Sequence, residues 1–251
     1  MGSENRTLKP RRAAPSSATL IEDARRNRLL ASMQRKALSQ FVDAMELVAL
    51  RPPQVVHLRE APLSHVYFPI SGLISLVMPS NGKFVETGIV GAEGFFGLPL
   101  LFGVDHCPMT AISQLSGHAM RIQADVFRAR FRRDAGLASA LDRYGYAFTV
   151  MLAQGSVCNS AHSIEQRCAR WLLAAHDRVG EGELPLTQAY LAQILGVRRP
   201  SVSEVAEKLQ RRRLIKYGQG RITILDRGGL EGLACLCYSI IRSEFKRVRL
   251  M

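Results

Sequence analysis

The residues best suited to a defined chemistry lie between Leu186 and Arg213. An arginine such as Arg199 matches the paired acceptors of guanine, and a carboxylate such as Glu204 accepts from the amino group of cytosine. Ser203 and the other small residues nearby let a helix approach a groove closely. The alternative role for Glu204 is an ion pair with Lys208, one helical turn away. The candidate DNA-contacting residues are Thr187, Arg198, Arg199, Pro200, Ser201, Ser203, Glu204, Lys208 and Arg211.

Two short helices around a tight turn are predicted to position these side chains. Thr187 suits the N-cap of the first helix, Gly196 its left-handed C-terminal end, and Pro200 the first position of the second helix. Two β-prone runs around Gly218-Gln219-Gly220 then predict a hairpin. This order is that of a winged helix-turn-helix, whose second helix enters a DNA groove. An ordinary helical hairpin in an enzyme core accounts for neither the arginines nor the wing.

Positive charge is concentrated at two places in the chain. The 251 residues carry a net charge of +13. Residues 186–227 contain nine Lys or Arg and three Asp or Glu, residues 1–36 contain the same numbers, and residues 37–154 contain nine of each kind. A basic run is often only a solvated face, but on a helix-turn-helix it is the usual footprint of DNA binding. Double-stranded DNA is therefore the predicted partner.

The cysteines and histidines show no spacing typical of a metal or catalytic site. Five scattered cysteines include no Cys-x-x-Cys. Cys235 and Cys237 are a candidate redox or metal pair, but two helical cysteines without nearby ligands more often serve packing. The six histidines form no metal or triad pattern, and neither a P-loop nor a nucleophile elbow occurs. We therefore predict no metal, no cofactor and no enzymatic activity.

The pattern of the chain predicts an α+β fold of several parts. From Ile21 to about Leu50 the apolar spacing indicates two amphipathic helices. Between Val55 and Ile122 alternation with frequent glycines indicates an antiparallel β-roll, with a hairpin at Asn81-Gly82. The predicted segments are residues 1–19 (a disordered basic tail), 20–134 (a sensor-like roll with flanking helices), 135–161 (a long dimerisation helix), 162–227 (a winged helix-turn-helix) and 228–251 (a helical extension).

The long helix is predicted from apolar residues that recur at threes and fours over about five turns. These residues are Leu137, Leu141, Tyr144, Phe148, Met151, Leu152 and Gly155. A long helix between two domains is a natural dimer seam, although the same stripe also suits packing on the chain's own roll. Residues 159–163 interrupt the pattern and predict a hinge. Residues 228–251 predict one amphipathic helix folded back on the DNA-binding domain.

This order of elements resembles the Crp/Fnr family of bacterial transcription regulators over about residues 25–226. The motifs that carry the resemblance are HVYFPISGLISLV, VETGIVGAEGFFG, SIEQRCARWLLAAHDRV and LTQAYLAQILGVRRPSVSEVAEKLQRRRLI. The resemblance implies a homodimer joined by the long helix, with each recognition helix in a major groove. It also implies a roll related to cyclic-nucleotide-binding domains, and RNA polymerase as a further partner.

The chain departs from cyclic-AMP-binding members at the residues that would hold the nucleotide. Those members use a Gly-Glu pair for the ribose and an Arg-Ser pair for the cyclic phosphate, whereas Gly97-Leu98 and Pro108-Met109 stand at the aligned positions. We therefore expect no response to cyclic AMP, and the ligand of this candidate pocket stays unknown. Arg121 and His118 are candidates to hold a different anion.

The sequence gives less support to iron–sulfur or haem sensing, to action through a protein partner alone, and to a secreted or membrane location. No cysteine precedes Cys107, which argues against an N-terminal iron–sulfur cluster, and a haem on His57 or His118 rests only on analogy with gas-sensing relatives. A regulator that responds to nucleotides and acts through a protein partner would not need a basic helix-turn-helix. With no signal peptide and no span of ~20 apolar residues, we expect a cytoplasmic protein without a membrane partner.

Overall fold

The computed structural model describes residues 17–80, 83–180 and 182–251. The N-terminal part contains helices α1 (Ser17–Arg25), α2 (Arg28–Ala31) and α3 (Arg35–Val42), followed by strands β1 (Met45–Leu50), β2 (Gln54–His57), β3 (His65–Ser80), β4 (Lys83–Val90) and β5 (Thr110–Gln123). Next come α4 (Ala124–Arg130) and α5 (Ala135–Ala161). The C-terminal part contains α6 (Ile164–Val179), β6 (Glu183–Pro185), α7 (Gln188–Leu195), α8 (Arg199–Arg211), β7 (Ile215–Gly218), β8 (Arg221–Ile224), α9 (Arg227–Leu233) and α10 (Leu236–Arg247).

The five N-terminal strands form the predicted antiparallel roll. Their order is β1-β5-β3-β4, and β2 pairs with the part of β5 that β1 leaves free. Strands β3 and β4 form a hairpin in which Ser80 pairs with Lys83. The predicted turn residues Asn81 and Gly82 themselves lie outside the described residues. The glycine-punctuated alternation was thus sufficient to predict this architecture.

Two glycines allow β3 to bend closely over β5. The register between these strands shifts around Ser71 and Leu73. Gly72 has φ 77°, and a Cβ there would lie 2.6 Å from the carbonyl oxygen of Leu115. A Cβ on Gly117 would lie 2.3 Å from the backbone of Ser71. Any side chain at either position would push the strands apart, so the curvature of the roll requires glycine here.

Two N-terminal predictions are wrong at their boundaries. Residues 17–19, predicted as the end of a disordered tail, belong to α1, while residues 1–16 lie outside the described residues. Residues Met45–Leu50, predicted as the end of a second helix, form β1, which runs from Met45 opposite Ile122 to Leu50 opposite Gly117. A short apolar run does not by itself distinguish a helix from a strand. Here the run forms a strand because its backbone pairs with β5.

Aromatic side chains join the roll to α5. Phe68 stacks on Phe95 with ring centroids 5.5 Å apart, and Phe95 lies 5.4 Å from Tyr144 of α5. Tyr144 in turn contacts Phe245 of α10 at 6.3 Å. All four are almost fully buried. The core is therefore continuous from the roll through the long helix to the C-terminal extension.

Helix α5 spans the residues predicted for it, but its apolar stripe faces inward. Leu137, Leu141, Tyr144, Phe148 and Met151 are buried within the single chain. The packing of this stripe on the chain's own roll is therefore observed, while Leu152 and Gly155 of the same stripe are only half-buried and the dimer seam stays a prediction. The interruption predicted for residues 159–163 is shorter in the structure, because α5 continues to Ala161 and Ser163 already caps α6 with a capping box.

The C-terminal extension differs from the prediction of one helix. It forms α9 and α10, separated at Ala234 and Cys235. Helix α9 packs on α6, but α10 lies mainly along α5. Arg143 of α5 donates to the carbonyl of Val248 at 3.3 Å. The extension therefore bridges α6 and α5. None of the described helices is long and apolar enough to cross a membrane.

Candidate nucleic-acid interface

The helix-turn-helix forms as its local signals predict. The side chain of Thr187 caps α7 by accepting from the backbone N–H of Tyr190 at 3.2 Å. Gly196 ends α7 in the left-handed conformation, with φ 65°. Helix α8 begins at Arg199, one residue before the predicted start, and places Pro200 at its second position. Its inner face consists of four buried residues, Val202, Val205, Ala206 and Leu209.

The outer face of α8 carries the predicted DNA-contacting residues. Ser201 and Ser203 are half-buried. The other seven candidates are exposed: Thr187, Arg198, Arg199, Pro200, Glu204, Lys208 and Arg211. Burial of the inner face against the domain core therefore leaves a polar, mainly cationic surface on α8. All nine candidates lie on α8 and the two residues that cap α7 and α8.

Hydrogen bonds distinguish the side chains of this surface. The Ser203 hydroxyl donates to Oε1 of Gln188 at 2.7 Å, which ties α8 to α7. Arg211 pairs with Glu207 at 2.6 Å. The alternative ion pair between Glu204 and Lys208 does not form within the described residues. Glu204 thus projects from α8 without a salt bridge to another residue that the structure describes, as contact with a base requires.

The wing encloses a groove beside α8. Strands β7 and β8 form the predicted hairpin, with β6 as a third strand on β8. Tyr217 donates its hydroxyl to the carbonyl of Leu186 at 2.9 Å, so the wing is fixed against the start of α7. Thr187, Gln188, Arg199, Tyr217 and Gly220 are among the residues lining the groove. Gln188 and Tyr217 were missed by the sequence analysis, because only their approach to Arg199 in three dimensions marks them.

The C-terminal part is joined to the roll by one buried ion pair and one half-buried, hydrogen-bonded carboxylate, here together called the roll contact. Arg178 of α6 pairs with Glu93 of the loop after β4 at 2.7 Å, and both side chains are 2% exposed. The Trp171 indole N–H donates to Glu86 of β4 at 2.5 Å, and Ser75 donates to the same carboxylate. Burial raises the pKa of Glu86 to about 7, although these two hydrogen bonds oppose the shift.

The four candidate ligand-pocket residues are not brought together. Pro108 and Met109 line a cavity of about 340 Å³ between β4, α5, α6 and α10. Gly97 and Leu98 do not line this cavity. Gly97 caps the 3₁₀ helix Leu98–Phe102, and the Leu98 side chain lies near Gly145 of α5. The cavity is bounded by Glu86, Trp171 and Arg178 rather than by the loop that the alignment selected.

The alternative ligand residues also lie elsewhere. Arg121 pairs with Glu46 at 2.5 Å and lies over the ring of Tyr67, so its charge is balanced on the sheet surface. His118 is exposed on β5. His57 is buried against Phe96, and burial lowers its pKa. None of these residues lines the 340 Å³ cavity.

Comparisons with known proteins agree with the order of these domains. Residues 47–134 match the cyclic nucleotide-binding domain and residues 166–233 match the Crp-like helix-turn-helix domain. The HTH-type transcriptional regulator Cmr of Mycobacterium tuberculosis is 26% identical over 209 residues, which cover 81% of this chain and 82% of the relative.

Solved structures share the fold at lower identity. FixK2 from Bradyrhizobium japonicum superposes with a TM-score of 0.65 at 16% identity, over 76% of this chain and 98% of that one. A transcriptional regulator of the CRP family from Thermus thermophilus gives a TM-score of 0.63 at 20% identity, over 76% and 96%. The roll, the long helix and the winged helix-turn-helix, in this order and with these matches, make the chain a member of the Crp/Fnr family of transcription regulators.

Proposed function

We propose that the protein regulates transcription by binding a two-fold symmetric DNA site as a homodimer. The observation that carries the proposal is the outer face of α8, where Glu204 is exposed and Arg199 is exposed beside the wing. A helix with one buried apolar face and one exposed cationic face fits the major groove, and the wing adds contacts at its edge. RNA polymerase, implied by the family resemblance, would be a further partner of the DNA-bound dimer.

Two kinds of contact are assigned to this surface. Arg199, at the N-terminal end of α8, and Glu204, one turn later, are the base-reading residues, because the N-terminal residues of a recognition helix reach the base edges. Arg198 and Arg211 at the ends of the helix are assigned to phosphates. The Gln188 amide, held by Ser203, lies in the groove beside Arg199 and is added to the candidates.

The dimer is assigned to the outward face of α5. Tyr146, Val150, Ala153 and Val157 recur at spacings of four, three and four, which is the repeat of a coiled-coil seam. Tyr146 is 53% exposed and Val157 is 49% exposed, although both are large and apolar. This outer stripe is distinct from the stripe that packs on the roll. The outer stripe is less hydrophobic than the inner one, so the sequence analysis did not identify it.

The roll is not expected to bind cyclic AMP. Leu98 and Pro108 supply neither the carboxylate for a ribose hydroxyl nor the cation for a cyclic phosphate. Burying an anionic phosphate without such partners costs several kcal/mol, and each ~1.4 kcal/mol weakens affinity about tenfold. Calorimetric titration with cyclic AMP is expected to give no heat of binding at micromolar concentrations. A one-to-one complex in this range would contradict the assignment.

Selection of bound duplexes from a randomised DNA pool tests the main proposal. The expected consensus consists of two inverted half-sites whose centres lie about 34–36 Å apart, one helical turn. Replacing Tyr146 and Val157 by lysine should yield a monomer in analytical ultracentrifugation and weaken binding to the full site. Phe102→Lys, at an exposed apolar residue of the roll, is the matched control. A single half-site bound by a monomer of the unmodified chain would refute the proposal.

A further inference from the structure

Four potential metal ligands meet at the hinge between α5 and α6. Cys158 lies in the last turn of α5, His162 caps its C-terminus, Cys235 caps the N-terminus of α10, and Cys237 lies in its first turn. Their ligand atoms all lie within 4.8 Å of one another. The three cysteines are buried and the histidine is half-buried. Folding thus converts two separate sequence pairs into one cluster.

We propose that these residues form a structural Zn²⁺ site with Cys₃His ligation. The distances suit a single ion. With Zn–S bonds of about 2.3 Å and Zn–N bonds of about 2.0–2.1 Å, a tetrahedron separates two sulfurs by about 3.8 Å and a sulfur from a nitrogen by about 3.6 Å. The Sγ atoms of Cys158 and Cys235 are 3.5 Å apart, and Cys237 Sγ is 3.4 Å from His162 Nδ1. Small side-chain shifts would complete the coordination.

The same geometry disfavours the two other uses of such a cluster. A four-iron cluster places each ligand on a different iron atom, which needs more space than ligand atoms within 4.8 Å of one another allow. A disulfide between Cys158 and Cys235 would use only two of the four groups. It would not explain why Cys237 and His162 converge on the same point. A closed set of three sulfurs and one imidazole nitrogen is a known structural zinc set.

Neighbouring donors are arranged to stabilise thiolates. Arg170 Nε donates to Cys158 Sγ at 3.2 Å, and Gln154 Nε2 donates to Cys237 Sγ at 3.2 Å. Three thiolates around Zn²⁺ leave one negative charge in excess, and the Arg170 guanidinium lies where it balances that charge. Hydrogen bonds to ligands from a second layer of residues are a general feature of protein metal sites.

The position of the site gives it a structural consequence. One ion would link the end of α5 to the start of α10 beside the break between α5 and α6. Arg227 of α9 pairs with Asp177 of α6 at 2.6 Å, and Tyr238 of α10 donates to the same carboxylate at 2.9 Å. Metal loss would therefore loosen the start of α10 from the end of α5, while the contacts of Phe245 with Tyr144 and of Arg143 with Val248 still hold the rest of the extension on α5. An effect on DNA affinity rests on the proposed function, but metal binding does not.

Metal analysis of the full chain, purified under reducing conditions, tests the proposal. The expected result is about one zinc ion per chain. Cobalt(II) should replace it and give the intense visible absorption of a tetrahedral thiolate site. Cys158→Ser and Cys237→Ser should each reduce the bound metal to a small fraction. Cys107→Ser, at a buried cysteine of the roll outside the cluster, is the matched control and should retain it.

A variant that keeps all four ligands tests the proposal even if the cysteine variants do not fold. Gln154→Leu removes a donor to Cys237 but no ligand, and it should weaken zinc affinity about 10- to 100-fold in competition with a chelator. Unchanged affinity in this variant, or less than about a tenth of an equivalent of zinc and no cobalt spectrum in the unmodified chain, would overturn the proposal. Iron with inorganic sulfide, or a Cys158–Cys235 disulfide in the reduced preparation, would overturn it as well. A failure of DNA binding alone would count against the proposed function and not against the metal site.

Discussion

The outer face of α8 and the roll contact use charged side chains in opposite ways. On α8, Arg199, Glu204 and Arg211 are exposed, and water screens their interactions within the protein. In the roll contact, Glu93 and Arg178 are 2% exposed and depend on each other for compensation. The exposed charges are accessible to a partner and contribute little to stability, even where Arg211 pairs with Glu207. The buried ones contribute to the arrangement of the domains, and the loss of either leaves the other as a buried charge without its ionic partner.

Breaking the buried pair should have the largest effect. Glu93→Gln removes the charge that compensates Arg178 but keeps the size of the side chain. The free energy of unfolding should fall by about 3–5 kcal/mol, as for other buried pairs that lose one partner. Urea denaturation measures it. Glu207→Gln, which breaks the exposed pair with Arg211, is the control and should cost less than about 1 kcal/mol. Equal losses of unfolding free energy in the two variants would show that the buried pair contributes no more to stability than the exposed one.

The half-buried carboxylate of Glu86 should make stability depend on pH. Burial raises the pKa of Glu86 from 4.5 to about 7. Between these values the folded state keeps a proton that the unfolded state releases, so Glu86 favours folding below pH 4.5 and this contribution is lost as the pH rises to 7. The loss should reach about 3 kcal/mol.

The comparison with Glu86→Gln isolates this contribution. The glutamine cannot ionise, so the difference in unfolding free energy between the two proteins should change across this pH window. Thermal unfolding at several pH values measures the difference. A difference that stays constant from pH 4.5 to pH 7 would show that Glu86 is ionised in the folded protein.

Substitutions on the outer face of α8 should change the free energy of DNA binding by smaller amounts but should clearly change the base preference. Arg199→Ala and Glu204→Ala should each cost about 1–3 kcal/mol on the preferred site and relax the preference at one base position. Binding to a panel of half-site variants measures both effects. A Glu204→Ala protein with unchanged base preference would show that this carboxylate does not read bases.

The smallest effect is expected at the phosphate-assigned end of the helix. Arg211→Ala should weaken binding to all sequences alike, without changing their order. If Arg211 contacts one phosphate, the slope of log affinity against log salt should become shallower by about 0.9. Titrations at several salt concentrations on a specific and a random duplex measure this. A change confined to the specific duplex would instead place Arg211 among the base-reading residues.

The sequence determined the helix-turn-helix almost completely, because its signals are local. The Thr187 cap, the Gly196 termination and the spacing of the buried residues of α8 act within one turn of the residues they control. The roll was similarly predictable from its alternation and glycines. Strand β1 was not, since the run Met45–Leu50 became a strand only through pairing with the distant residues Gly117–Ile122.

Only the tertiary structure decided the contacts between distant segments. The more apolar stripe of α5 faces the roll, and Tyr146 and Val157 are left exposed. The reason is that the roll and α10 both pack on the more apolar side of the helix. The tertiary structure also placed Cys158 and His162 beside Cys235 and Cys237. Ligand spacing in the sequence indicates a metal site only when the ligands share one local segment. Here the fold of the C-terminal extension brings Cys235 next to Cys158, 77 residues earlier in the chain, and Cys237 next to His162, 75 residues earlier.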